Sequence, residues 1–349
     1  MKSFTFFLVG MLCIAEWNFA QFNGQKKSIP KYPCSMDYMA ISPDGKILAS
    51  TGRHVPWPSA GIQAWDLSTL SLVWNSHFSK FSPRPMAVNA LAFSPNGKIV
   101  AIGDWAGGVT LINAITGQQK KTISFQGVQD LTFSRSGDFI AVSTQTGITH
   151  ILSTADGSIK VTLEGTTLGW SLAVSPDGKL LAIADSGAAH IFDTHSGKKI
   201  HSYLTSPPRS TKSDSLKGVV YRVALNEEGR VLATATSDYV QVWDVQTEKE
   251  LFRTKAGNST PGSLAFSADG TQLGWANYNH EIRLWPFSKS KNVRIVKVWS
   301  LLGRVVFRPD FKLAYVSAHE TSMSVVELPT GRELSAITCT DFVSDEPIN

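Results

Sequence analysis

The chain has 349 residues, 42% of them hydrophobic and 17% charged, with 33 Lys and Arg against 28 Asp and Glu for a formal net charge of +5. That balance is ordinary for a folded globular protein and too apolar for a disordered one. The basic residues are scattered rather than clustered, which argues against a nucleic-acid footprint.

Residues 1–20 read as a signal peptide. Lys2 supplies a positive start, and Phe4 to Ala15 is an apolar run of 12 residues, too short to span a bilayer. Cleavage fits after Ala20 or at Cys13-x-Ala15. A lipid on Cys13 is disfavoured by the bulky Leu12 in front of it. The chain is therefore expected to be exported, periplasmic or secreted, with no transmembrane segment in its mature form.

Beyond the leader, the sequence breaks into short runs of 4 to 7 residues, alternating or apolar, bounded by Gly, Pro, Asp and Ser. These read as antiparallel strands joined by tight turns. A first group spans Tyr38 to Asn75, with a long loop around Arg53 to Ser59, and is followed by a connection from Ser76 to Val88. A second spans Asn89 to Ile123, with a Gly103 to Gly108 loop. A third spans Val128 to Leu163 and a fourth Gly169 to Leu204. The polar segment Thr205 to Gly218 then reads as a surface loop. Three more groups follow, Val219 to Thr254, Gly262 to Val298 and Arg304 to Ile337. Residues 341–349 form a polar tail.

The groups are copies of one unit. Each begins with an inner run such as Leu172-Ala173-Val174, then a turn such as Ser175-Pro176-Asp177-Gly178. Pro presets φ at the second turn position, and Gly tolerates φ > 0. The turn glycine falls at 45, 97, 137, 178, 229 and 270, and in the seventh copy its place is taken by Phe311. Seven four-stranded units at a period of about 40 residues predict an all-β fold, a seven-bladed β-propeller over residues 36–340.

At these residues the chain resembles the WD40-repeat family, in its diverged, bacterial-style members. The Ser-Pro-Asp-Gly turn matches, as do Trp65-Asp66 and Trp243-Asp244 at the ends of third strands, with Phe192-Asp193 and Trp285-Pro286 as variants. The Gly-His pair that usually opens a repeat is absent. The family's buried Asp-His-Ser-Trp network is therefore not expected. The resemblance implies that the long loops crowd the face where partners commonly dock.

Catalytic signatures are missing: no Gly-x-Ser-x-Gly, no phosphate-cradling Gly-rich loop and no Cys-x-x-Cys. His280-Glu281 and His319-Glu320 start a zinc-protease pattern, but Leu284 and Met323 stand where its second histidine belongs. His150 and His190 occupy equivalent polar strand positions and read as the wet side of a strand. No metal or cofactor is expected. Asn258-Ser259-Thr260 fits a glycosylation acceptor.

The aromatic and arginine set is more informative. Trp170 and Tyr221 stand eight residues before their turn glycines, where an innermost strand begins at the disc face. Tyr38, Arg222 and Arg304 stand one residue further on. Trp57, Trp105, Tyr239 and Tyr278 fall on loops of the same face. Trp, Tyr and Arg carry disproportionate energy at interfaces. The expected function is a non-catalytic module binding a protein or peptide, with Trp57, Trp105, Trp170, Tyr221, Arg222 and Arg304 as anchors. The alternative is an exported propeller enzyme or cofactor binder, of lactonase, hydrolase or quinone-dependent dehydrogenase type. It would use the central channel, with Asp37 and Asp130 as its acidic groups.

Two structural expectations complete the reading. Blade seven draws all four strands from the C-terminal part, so the ring closes without a shared strand, and a Cys34–Cys339 disulfide is expected to fasten the seam. Phe311 is expected at negative φ, in a turn unlike the other six, because a bulky residue at φ > 0 is strained.

Overall fold

The computed structural model describes residues 38–51, 61–77, 88–105, 108–124, 127–205, 218–257, 259–278, 280–286, 292–298, 302–318 and 322–338. They form seven antiparallel sheets of four strands each, with no helix among the described residues. Blade one comprises β1 (Tyr38–Ile41), β2 (Ile47–Thr51), β3 (Gly61–Asp66) and β4 (Ser71–His77). Blade two comprises β5 (Val88–Phe93), β6 (Ile99–Asp104), β7 (Gly108–Asn113) and β8 (Gln119–Ile123). Blade three runs through β9 (Val128–Phe133), β10 (Phe139–Thr144), β11 (Thr149–Ser153) and β12 (Ile159–Leu163). Blade four has β13 (Ser171–Val174), β14 (Leu180–Ala184), β15 (Ala188–Asp193) and β16 (Lys199–Leu204). Blade five has β17 (Arg222–Leu225), β18 (Val231–Ala235), β19 (Tyr239–Asp244) and β20 (Glu250–Lys255). Blade six has β21 (Pro261–Phe266), β22 (Gln272–Asn277), β23 (Glu281–Pro286) and β24 (Arg294–Lys297). Blade seven has β25 (Leu302–Phe307), β26 (Leu313–Ala318), β27 (Ser322–Glu327) and β28 (Arg332–Thr338). The predicted seven-bladed architecture is what the chain adopts.

The turn between the first two strands of each blade is built from its own side chains. Ser42 donates its hydroxyl to Asp44 at 2.6 Å and accepts the amide of Ile47, while the Gly45 amide reaches the Ser42 carbonyl at 2.8 Å. Ser175, Asp177 and Gly178 repeat this in blade four, and Ser267, Asp269 and Gly270 in blade six. The fourth turn residue then takes a left-handed conformation as the chain re-enters a strand, with φ of 71° at Gly45 and 73° at Gly178.

Phe311 departs from expectation. Its φ is +52°, and its amide makes the same turn bond, to the Arg308 carbonyl at 2.8 Å. The prediction of a negative φ is wrong, and packing supplies the reason. The Phe311 ring is 4% exposed and stacks on Phe307 at 4.9 Å between centroids. It lies over Gly274 of blade six, where a Cβ would come within 2.8 Å of it. Left-handed backbone costs a side chain roughly 1–2 kcal/mol, whereas burying a Phe contributes about 1.5–3 kcal/mol. Burial outweighs the strain.

The core is divided among the seven contacts between neighbouring blades, and each contact holds one apolar cluster. The second strand of six blades carries a small residue at its centre. Ala49, Ala101, Ala141, Ala182 and Ala233 are wholly buried, Gly274 takes this position in blade six, and the buried Tyr315 stands there in blade seven. A strand buried on both faces between two sheets needs small side chains where the neighbouring blade comes closest. The ring closes in the same way. Met39, Leu48 and Trp65 of blade one pack with Tyr315, Met323 and Val325 of blade seven, and every strand of both blades is contiguous in sequence. The predicted Cys34–Cys339 disulfide lies outside the described residues, as do the leader, Asn258 and the tail.

The expected absence of the tryptophan network needs amending. Trp65 donates its indole N–H to the Ser50 hydroxyl at 3.0 Å, and Trp243 donates to Thr234 at 3.1 Å. The Trp–hydroxyl half forms in the two blades with a literal Trp-Asp, although no Gly-His opens a repeat.

Candidate functional site at the mouth of the channel

Strand direction alternates within a blade, so the start of each innermost strand lies on the same face as the loop after the second strand. The start of one blade thereby meets the loops of its neighbours. A cavity of about 260 Å³ opens here, in the central channel, among the first residues of the inner strands. Asn89, Asp130, Trp170, Arg222 and Arg304 supply its polar and aromatic wall.

One sequence position accounts for most of it. Tyr38, Asp130, Ser171, Arg222, Ser263 and Arg304 each stand seven residues before the turn position of their blade. The shorter acceptors tie each blade to the next. Asp130 Oδ2 accepts the Leu172 amide at 2.8 Å, Ser263 Oγ accepts that of Val305 at 3.0 Å, and Ser171 Oγ accepts that of Val223 at 3.4 Å. Asn89, one residue earlier in its repeat, donates its Nδ2 to the Val128 carbonyl at 3.0 Å. These bonds satisfy inner-strand groups that no fifth strand could pair.

The arginines behave differently. Arg222 donates its Nε to the Gly262 carbonyl at 2.9 Å and one Nη to the Tyr221 carbonyl at 2.7 Å, which fixes its position. Arg304 lies over the Tyr38 ring, its Cζ 4.0 Å from the centroid, and its guanidinium makes no hydrogen bond to a described residue. A guanidinium over a Tyr face gains about 0.5–2 kcal/mol and keeps its N–H edge for another partner.

The charges are coupled. Asp130 is surrounded by protein except where it faces the channel, and that burial raises its pKa, opposed by the Leu172 amide and the two guanidiniums. Burial, followed by repulsion from Arg304, pulls the Arg222 pKa down to about 10, with Asp130 pulling the other way. Arg222 still carries its charge at neutral pH.

The expected anchors therefore divide. Trp170, Arg222 and Arg304 line the cavity. Tyr221 sits at its rim, 6.5 Å from the Trp170 ring, and burial raises its hydroxyl pKa. Trp170 also packs on the core between blades four and five, and its indole N–H is buried without a hydrogen-bond partner among the described residues. Trp105 is 47% exposed on a loop of the same face, with Tyr278 and Tyr239 on further blades. Trp57 and Asp37 lie outside the described residues.

Both strand histidines face a hydroxyl of the outer strand, and His190, largely covered, also lies 3.6 Å from the Asp185 carboxylate. His150 Nδ1 lies 3.2 Å from the Thr162 hydroxyl and His190 Nδ1 lies 2.9 Å from that of Ser202. No group of three His, Cys, Asp or Glu gathers around one point among the described residues. Sequence reasoning weighed Asp130 only as a catalytic acid and missed it as a blade-to-blade tie. Its shared repeat position with Arg222 and Arg304 was the signal.

Fold and site define a seven-bladed propeller of the WD40 type, a class of folds that typically serves as protein-interaction modules. Residues 74–113, from the outer strand of blade one through the third strand of blade two, match the family model described as WD domain, G-beta repeat. The chain is 31% identical over 142 residues to the WD repeat-containing protein SL1-17 of Schistosoma mansoni, covering 40% of this chain and 46% of that one. It is 29% identical over 121 residues to Periodic tryptophan protein 2 of Saccharomyces cerevisiae, covering 34% of this chain and 13% of that one. With the guanine nucleotide-binding protein subunit beta of Schizosaccharomyces pombe it shares 29% over 105 residues, 30% of this chain and 32% of that subunit. The matches thus span less than half of each relative. Together with the seven four-stranded blades, these matches make the chain similar to WD40-repeat β-propellers.

Proposed function

We propose that the protein is a non-catalytic interaction module that binds a protein or peptide across the loop-rich face. The observation that carries this reading is the channel mouth itself. It gathers two arginines beside tilted aromatics, and Trp105 stands exposed on the same face. Binding energy concentrates in such Trp, Tyr and Arg clusters, and WD40 relatives provide the precedent for the class. Among the described lining residues the one carboxylate, Asp130, is tied to the neighbouring strand. That arrangement serves assembly of the ring better than proton transfer, and it is the reason to prefer binding over an enzymatic use of the channel.

The leader supports an extracytoplasmic location, and Cys34 with Cys339 supports a disulfide across the seam, in keeping with an oxidising compartment. The test of location is the N-terminal sequence of protein recovered from outside the cytoplasm, expected to start after Ala20 or after Ala15. Retention of the full leader on cytoplasmic protein rejects it. The disulfide is tested by non-reducing peptide mapping.

For the binding face, Trp105→Ala is the clean probe, because the side chain is exposed. Captured partner should fall by about 2 kcal/mol of affinity, a factor of roughly 30, if Trp105 is a hot spot. Unchanged capture removes Trp105 from the interface.

A further inference from the structure

We infer that the channel mouth is a receptor for one carboxylate group of the bound peptide, held between Arg304 and Arg222. The inference rests on the peptide-binding reading above and specifies what that ligand presents.

Among the described lining residues the ionisable groups are two guanidiniums and the Asp130 carboxylate, formally one positive charge in excess. Asp130 already spends one oxygen on the Leu172 amide. Arg222 has committed Nε and one Nη to carbonyls, which orients it, and its other Nη has no hydrogen bond to a described residue. Arg304 is held by stacking on Tyr38, with its whole donor edge available. Two like charges side by side in a confined space repel, and after burial this repulsion is the next cause of the lowered Arg222 pKa. An incoming anion relieves that repulsion and takes charge-assisted hydrogen bonds from donors already in place, the arrangement that makes guanidinium recognition strong.

Charge and size select the anion. A monoanion balances the excess of one. A phosphate dianion would leave net negative charge beside Asp130, where carboxylate and phosphate oxygens repel. The volume of about 260 Å³ lies below the ~300–1,000 Å³ usual for drug-sized ligands, so it suits a single side chain or chain end. The exposed Trp105 and the Tyr221 rim would hold the flanking residues.

The experiment titrates the full mature chain with three blocked peptides by ligand-observed NMR and calorimetry. Ac-Gly-Glu-Gly-NH2 carries a side-chain carboxylate, Ac-Gly-Gly-Gly with a free C-terminus carries a terminal one, and Ac-Gly-Gln-Gly-NH2 carries none. At least one acid peptide should bind ten-fold or more tightly than the Gln peptide, and which one does identifies the source of the carboxylate. Arg304→Gln should remove that preference, and Asp130→Asn should tighten binding several-fold by removing a competing negative charge. Circular dichroism of each variant checks the fold, and Arg304→Lys, which keeps charge but loses the planar fork, should bind with intermediate affinity. Equal binding of all three peptides, or an unchanged preference in Arg304→Gln, overturns the inference. The two readings fail separately. Partner capture that depends on Trp105 and not on Arg304 leaves the interaction face standing and removes the carboxylate receptor. Acid-peptide binding without any Trp105-dependent partner does the reverse.

Discussion

Phe311 shows how a local rule loses to packing. Its ring stacks on Phe307 and fills the space above Gly274, so its left-handed backbone is tolerated. Phe311→Ala should cost roughly 3–5 kcal/mol through lost burial. Phe311→Gly loses the same ring but regains about 1 kcal/mol at φ > 0. The glycine variant should therefore be the more stable of the two by that margin in urea unfolding, the reverse of the usual order in strands. Equal or inverted stabilities would show that the turn relaxes in solution. Asp185 is a second decisive residue. Burial alone would raise its pKa, but His190 at 3.6 Å, the Thr167 hydroxyl and nearby amides outweigh that and hold it well below the usual carboxylate range. A depressed folded pKa means stabilisation that is complete above the unfolded value and is lost as pH falls toward the folded one. Asp185→Asn should then cost roughly 1–3 kcal/mol at pH 7, and the gap to wild type should narrow below about pH 4. A gap that does not change with pH would assign its role to shape rather than charge.

Among the elements, the second strand of each blade is the most constrained. Ala49, Ala182 and Ala233 are fully buried at its centre, and Gly274 is smaller still because Phe311 and Phe307 press on it from blade seven. Gly274→Ala places a Cβ within 2.8 Å of one ring and 3.0 Å of the other, and overpacking of this kind typically costs 1–3 kcal/mol. Coupled to Phe311→Gly, the same change should cost much less, because the first ring is gone. A double-mutant cycle measures this. Strict additivity would mean that the two sites do not share space.

At the scale of the whole molecule, stability is spread over seven blade contacts, and the seam is one of them. Met323 is wholly buried where blade seven meets blade one. Met323→Ala should cost about 2–5 kcal/mol and lower a single melting transition, as in any other contact, because a ring transmits the loss to every blade. A separate early transition would identify the seam as a weak joint. The repeat period, the turn chemistry and the alternation of apolar runs are local, and the amino-acid sequence alone determined from them the number of blades, their strands and which loops share a face. It also marked Trp170, Tyr221, Arg222 and Arg304 through their place in the repeat. It did not reveal that Asp130 ties two blades together, that Arg304 rests on Tyr38, or that Phe311 keeps a strained backbone. Each of those depends on a partner in another blade, 266 residues away for Tyr38 and Arg304. Such pairs meet only once the ring has closed and burial has decided which local preferences give way.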